Sequence, residues 1–222
     1  MEKHKHCFLC QHSLPEWQGA IATNAKIQHF KKGAIIFRET EDVKGFYFIH
    51  SGKVKVHKKW ADDNKDLIVK FSGAGDILGH RGLGEAHHYP VTATAIEDVD
   101  ACFITAEFFH TTLLVNHELA YKMVLFYANE LQKAEQSMRD MVHMSAKSRV
   151  ANALLKIKQL FGATKEGVIL SSLSRQEIAS FAGTTYETLF KILNEWIDEG
   201  LVFVSGKEIT IRDEKRLKKM ID

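Results

Sequence analysis

The spacing of apolar residues changes character twice along the chain. Between about Ala25 and Ile104 they fall in runs of strand length, AIIF, GFYFI, KVKVH, DLIVKF, DILG, VTATAI and DACFI. Gly33, Gly45, Gly52, Gly73, Gly75, Gly79, Gly82 and Gly84 separate the runs, and no helical period links them. The pattern predicts an all-β roll or jelly roll. The His50-Ser51-Gly52-Lys53 stretch between two alternating runs predicts a tight hairpin, with Gly52 supplying a positive φ.

From about Asn116 to Met144 neither Gly nor Pro occurs, and Ala120, Val124, Tyr127, Leu131, Ala134, Met138 and Met141 recur at spacings of 4, 3, 4, 3, 4 and 3. That 3.5-residue seam predicts one long helix paired with an identical one in a dimer. The competing reading lays the same seam on the chain's own β roll. Lys122, Glu130, Lys133 and Arg139 flank the seam with charge, as on a helix exposed elsewhere.

A further helix is predicted over about Lys147–Phe161 and a short strand over Val168–Leu170. Ser174-Arg175-Gln176-Glu177 then reads as a capping box, and Thr184-Thr185-Tyr186-Glu187 as a second one ten residues on. Gly183 sits where a left-handed residue ends the first helix. In the second helix Leu189, Ile192, Leu193 and Trp196 share one face, leaving Tyr186, Glu187, Phe190, Lys191 and Asn194 on the other. VFV, Ser205-Gly206-Lys207 and ITI form a hairpin. The whole is a helix-turn-helix with a β wing, its second helix placed to read a major groove. A helix pair of this kind also occurs in proteins that never touch DNA; the wing and the dimer seam favour the DNA reading.

Composition and charge sharpen this picture. The chain has 222 residues, 45% hydrophobic and 26% charged, the balance of a soluble chain with a packed core. No apolar run approaches the roughly 18 residues of a membrane helix, and MEKHKHCFLC carries no signal-peptide core, so a cytoplasmic protein without membrane contact is expected. Up to Met144 there are 17 Lys and Arg against 18 Asp and Glu; from Ser145 onward the count is 13 against 10. The basic excess sits with the helix-turn-helix, as a polyanionic partner would require.

These features together resemble the CRP/FNR superfamily of bacterial transcription regulators over nearly the whole chain. The resemblance rests on the turn glycines, on GAGDILGHRGLG at the effector cassette, and on SRQEIASFAGTTYETLFKIL at the DNA-reading helices. It implies an α+β chain: a double-stranded β-helix (jelly-roll) sensor domain of the cyclic-nucleotide-binding type over 1–110, led by a short Cys/His segment; a dimerisation helix over 111–145; a winged helix-turn-helix over 146–222. It also implies a homodimer on a two-fold related double-stranded DNA site, in contact with RNA polymerase.

Site residues follow from the same comparison. DNA contacts are expected from Ser174, Arg175, Gln176, Thr185, Tyr186, Glu187, Phe190, Lys191 and Lys207. The family's reading helix presents an Arg-Glu-Thr run with a further Arg; here Tyr186, Glu187, Thr188 and Lys191 stand there, both arginines gone. Lys191 is then placed to donate to guanine, Glu187 to accept from cytosine, Tyr186 to reach a phosphate and Phe190 to pack on a thymine methyl. Gly79, His80, Arg81, Gly82, Leu83 and Tyr89 mark the effector pocket. Cyclic-AMP receptors carry Glu where this chain has His80, and their phosphate-clamping Arg-Ser pair falls on Tyr89-Pro90 or Pro90-Val91. Without that bidentate guanidinium, cyclic AMP is not expected as the effector, whose identity stays open; His80, Arg81, His87 and His88 could serve another anion. The dimer seam is Val124, Tyr127, Leu131, Ala134, Met138 and Met141.

Three cysteines argue against a disulfide framework. AIEDVDACFI resembles the strand on which the FNR branch places its internal cluster cysteine, so that Cys102 takes that place, and Cys7-Phe8-Leu9-Cys10 adds two thiols. An iron–sulfur cluster usually takes four, so His4, His6 or His12 would complete a cluster or a zinc site. Otherwise Cys7 and Cys10 belong to a mobile tail and Cys102 is a small apolar side chain. A cupin-type metalloenzyme is the rival from another class. The His-x-His pair, His4-Lys5-His6, lies at the start of the chain and His50 and His57 lack the spacing, so no enzyme activity is expected.

Overall fold

The computed structural model describes residues 7–60 and 65–221. The chain divides into two compact units: the residues up to 64 with Val69–Gln132, and Lys65–Ile68 with Lys133 onward.

In the first unit, helix α1 (Phe8–His12), a 3-10 turn (Pro15–Trp17) and α2 (Gln18–Asn24) precede the roll. The strands are β1 (Lys26–Phe30), β2 (Ile35–Phe37), β3 (Gly45–Ser51), β4 (Val54–Trp60), β5 (Lys65–Ser72), β6 (Ile77–Leu78), β7 (Thr92–Ala95) and β8 (Val99–Thr105). They form two four-stranded sheets ordered β1-β8-β3-β6 and β2-β7-β4-β5. Strand β3 is buried along Gly45–Ile49, which its unbroken apolar run explains. Tyr47 and Ile49 join the roll's interior with Phe37, Val56, Tyr89 and Val91. Phe46 and Phe48 point the opposite way into a second core with Ile104, Phe109, Leu119 and Met123.

The predicted hairpin at Gly52 is corrected. Strands β3 and β4 belong to different sheets, so the turn carries the chain from one layer to the other. Gly52 has φ +85°, and a Cβ there would lie 2.2 Å from the Asp98 carbonyl oxygen. The glycine is required, but as a corner against backbone. Strand β1, KIQHF, is the one the apolar runs missed: among the described residues it is an edge strand, paired with β8 and largely exposed.

Helix α3 (Ala106–Val115) leads to α4 (His117–His143), 27 residues long. Buried Asn116 divides them: its Nδ2 donates to the Thr112 carbonyl (3.1 Å) and its Oδ1 accepts from Leu14 N (2.8 Å). The first half of α4 lies on the roll through Leu119 and Met123, with Phe126 and Tyr127 packed beside them.

The second unit holds α5 (Ala146–Phe161), α6 (Arg175–Phe181), α7 (Tyr186–Asp198), β9 (Val202–Ser205), β10 (Glu208–Ile211) and α8 (Glu214–Lys219). Strands β9 and β10 pair antiparallel. The strand expected at Val168–Leu170 is reduced to isolated bridges, Ala163 with Ile169 and Val168 with Thr210. Leu154, Ile178, Leu189, Leu193 and Trp196 fill the core.

Candidate nucleic-acid interface and sensor cavity

Helix α6 begins with the capping box read from the sequence. Ser174 Oγ accepts from Glu177 N (3.2 Å), and Glu177 Oε2 accepts from Ser174 N (2.8 Å). It ends in a Schellman turn: Gly183 N donates to Ser180 O and Thr184 N to Ala179 O, both 3.0 Å, with Gly183 at φ +61°. The second box is corrected by one residue. Thr185, not Thr184, caps α7, accepting from Thr188 N at 3.2 Å. The Schellman bond has already taken Thr184 N, so the helix opens one position later. Glu187 therefore falls in the first turn of α7, exposed, where a carboxylate suits the helix dipole.

Buried Leu189, Ile192, Leu193 and Trp196 turn α7 so that Tyr186, Glu187, Phe190, Lys191 and Asn194 all face solvent. Lys191 has no ion pair among the described residues. Gln176 and Lys207 are exposed on the same unit. Ser174 and Arg175 are already engaged. Arg175 donates to the carbonyls of Lys207 (3.0 Å), Gly206 (3.1 Å) and Glu208 (3.2 Å), fastening the wing turn to α6. A residue the sequence did not single out does similar work: Arg149 on α5 donates to Met144 O (2.9 Å), Ala182 O (3.1 Å) and Gly183 O (3.2 Å), fixing the turn between the two helices. Its signal was only a lone arginine on an amphipathic helix.

In the roll, Gly79, His80, Arg81 and Tyr89 converge on one cavity with Phe37, Val56, Lys70, Ser72, Pro90 and Val91; Gly82 and Leu83 do not line it. Its volume is ≈ 10 Å³, the room of about one water molecule. Tyr89 forms part of its wall. Its ring stacks on Phe37 (centroids 4.0 Å, 19°), and its hydroxyl donates to Gly45 O (2.7 Å) while accepting from Gly45 N (3.2 Å). Burial raises its pKa.

His80 is 6% exposed. Its Nδ1 lies 2.8 Å from the Ile77 carbonyl, and since a carbonyl only accepts, the proton sits on Nδ1. Nε2 has no hydrogen-bond partner among the described residues and lies 4.0 Å from Glu130 Oε2. Burial holds the His80 pKa down to about 4. Lys70 Nζ donates to both Glu130 carboxylate oxygens at 3.3 Å, and Tyr127 Oη donates to His80 O at 2.6 Å. The cavity wall is thus tied to α4 by Lys70, Glu130 and Tyr127. Tyr127 is thus bonded to its own roll, while Val124, Leu131 and Met138, 60 to 64% exposed, lie outward at seven-residue spacing; Ala134 and Met141 are exposed as well. His88 turns outward and faces Asp42 at 3.0 Å.

Cys7 and Cys10 are docked, not on a mobile tail. Cys7 and Leu9 are buried with Cys102 in the core beneath α4, and Cys10 packs against them. Cys7 Sγ accepts from Cys10 N (3.3 Å). Hydrogen bonding with Cys10 lowers the Cys7 pKa to about 7 and raises that of Cys10, while burial lifts Cys102 to about 12. His12 meets the Phe8 ring edge to face; His4 and His6 lie outside the described residues. Among the described residues no three His, Cys, Asp or Glu side chains are grouped to hold a metal ion. The described residues thus bring three thiols together and supply no fourth donor beside them, where an iron–sulfur cluster usually takes four.

The family model for a cyclic nucleotide-binding domain matches residues 27–116 and that for a Crp-like helix-turn-helix domain residues 148–220. The CRP-like cAMP-activated global transcriptional regulator of Mycobacterium tuberculosis is 27% identical over 205 residues, 91% of each chain. The fumarate and nitrate reduction regulatory protein of Escherichia coli is 26% identical over 212 residues, 94% of this chain and 82% of that protein. A solved CRP/FNR-family regulator from Eubacterium rectale has the same fold, with TM-score 0.82 and 24% identity over 96% of this chain and 97% of its own. The chain belongs to the CRP/FNR family of DNA-binding transcription regulators. Regulators of this kind are not enzymes, and no helix among the described residues is long and apolar enough to cross a membrane.

Proposed function

We propose that the protein acts in the cytoplasm as a homodimer on a two-fold related DNA site, in contact with RNA polymerase, with its roll answering an effector other than cyclic AMP. The observation that carries the DNA half is α7: a helix anchored by Leu189, Leu193 and Trp196 with its polar, aromatic and cationic residues all outward beside a wing. Tyr89 supports the second half. The resemblance puts the phosphate-clamping pair of cyclic-AMP receptors on Tyr89-Pro90 or Pro90-Val91; neither holds a guanidinium, and Tyr89 is a buried phenol hydrogen-bonded to Gly45. Lys70 at the wall is held by Glu130 and His80 is neutral, which leaves Arg81 as the lining cation that suits a small anionic effector. Two titrations test the reading. Affinity for DNA should fall steeply and linearly on log scales as salt rises, by counterion release, and calorimetry with submillimolar cyclic AMP should show no heat. Salt-independent association would overturn the first part and micromolar cyclic-AMP binding the second.

One observation favours a second reading, an FNR-type redox sensor: Cys7, Cys10 and Cys102 meet in one core. Their number stands against an iron–sulfur cluster. Protein purified without oxygen decides it by its visible spectrum and metal content: charge-transfer bands with bound iron establish the sensor, and their absence leaves the thiols structural.

A further inference from the structure

Tyr186 and Phe190 stand one turn apart on the outward face of α7, ring upon ring, with centroids 6.3 Å apart and planes 17° from parallel. They are 43% and 54% exposed. The core does not require them, since Leu189, Ile192, Leu193 and Trp196 already bury the other face. Beside them a cleft of ≈ 180 Å³ runs between α7 and the wing, lined by Leu193, Ile197, Val204 and the Arg175 whose guanidinium holds the wing turn. Glu187 precedes Phe190 and Lys191 follows it, so the aromatic ledge is set between one acceptor and one donor.

A major groove presents hydrogen-bonding edges throughout and one apolar group, the C5-methyl of thymine. A ring without donors or acceptors discriminates nothing else there. The same methyl, in the same place on the pyrimidine edge, is carried by 5-methylcytosine. We propose that Phe190, braced by Tyr186, is a reader of pyrimidine C5-methyl groups, so that the protein senses cytosine methylation at the half-site position it faces. The proposal rests on the DNA reading of α7 and adds the chemical feature that α7 selects. Tyr186 is a positioning residue, limiting the angles open to a half-exposed ring.

The test changes the DNA first, with the wild-type protein, and then repeats the comparison with Phe190→Ala. A site is selected from random duplexes with the full-length protein, and each thymine in it is replaced in turn by deoxyuridine. At the position facing Phe190, cytosine is also compared with 5-methylcytosine. Each comparison removes or adds one methyl and keeps every hydrogen bond. Burying one methyl corresponds to about a fourfold change in affinity per half-site and about fifteenfold over two. Both ratios should appear at the same position and collapse to one in Phe190→Ala, while ratios at other positions are unmoved. Equal affinity for thymine and deoxyuridine at every position overturns the proposal and leaves DNA binding intact. A methyl ratio that survives Phe190→Ala overturns the assignment to this residue. Selection of no sequence at all overturns the DNA reading and the proposal with it.

Discussion

Lys191 carries the sharpest claim about a single side chain. It is outward on α7, away from the Trp196 stripe, and no ion pair among the described residues accounts for it. Lys191→Ala should cost about 1–3 kcal/mol per half-site and relax preference at one base pair. Equal weakening on all sequences with a flatter salt slope would assign it to phosphate instead. His80 carries a second. Its folded pKa, about 4 against an ordinary 6.5, means that the fold accepts only the neutral ring. The associated stability is complete above pH 6.5 and is lost as pH falls toward 4. Denaturant unfolding should show wild type losing about 2 kcal/mol more than His80→Gln between pH 7 and pH 5; parallel curves would refute it. The sequence marked His80 and Tyr89 as departures from a nucleotide clamp. That Tyr89 would wall the cavity and His80 be buried was not legible, because both depend on a loop ahead of β7 that brings Tyr89 to Gly45 across 44 positions.

Elements were legible where their period was long and unmixed. The roll's strands, α5 and the two reading helices stand close to where hydrophobic spacing places them. Pairing was not, since a turn glycine looks alike in a hairpin and at a corner between sheets. Gly52→Ala separates the two cases: in a solvent-side hairpin it would cost about 1 kcal/mol, whereas against Asp98 O and at φ +85° the loss should exceed about 3 kcal/mol in chemical unfolding. Strand β1 was hidden because an edge strand needs little apolar surface. The heptad seam of α4 was legible as a period, but a period cannot say which of two partners each position meets, and Tyr127 went to His80. Val124, Leu131 and Met138 remain outward. Met138→Glu would place two like charges in that seam and should yield monomer by light scattering at micromolar concentration; a persisting dimer would place the interface elsewhere.

For the whole molecule, the division of labour follows the charge. The residues up to Met144 are nearly neutral, and those beyond, with the reading helix, carry the basic excess. A homodimer built on α4 would present two such helices related by a two-fold axis, and each would meet the major groove one helical turn from the other. The order of the parts was legible because each part has its own hydrophobic period. The effector was not, since a cavity of ≈ 10 Å³ is set by how side chains from four strands and two connecting segments interlock.

The central claim, a dimer that reads two related half-sites, is tested most directly by sequencing the DNA that full-length protein enriches from a random pool. The account predicts an inverted repeat with half-site centres about 10 base pairs apart, protected by one dimer. Enrichment of a single asymmetric half-site by monomer, or no enrichment over bulk DNA, would contradict it.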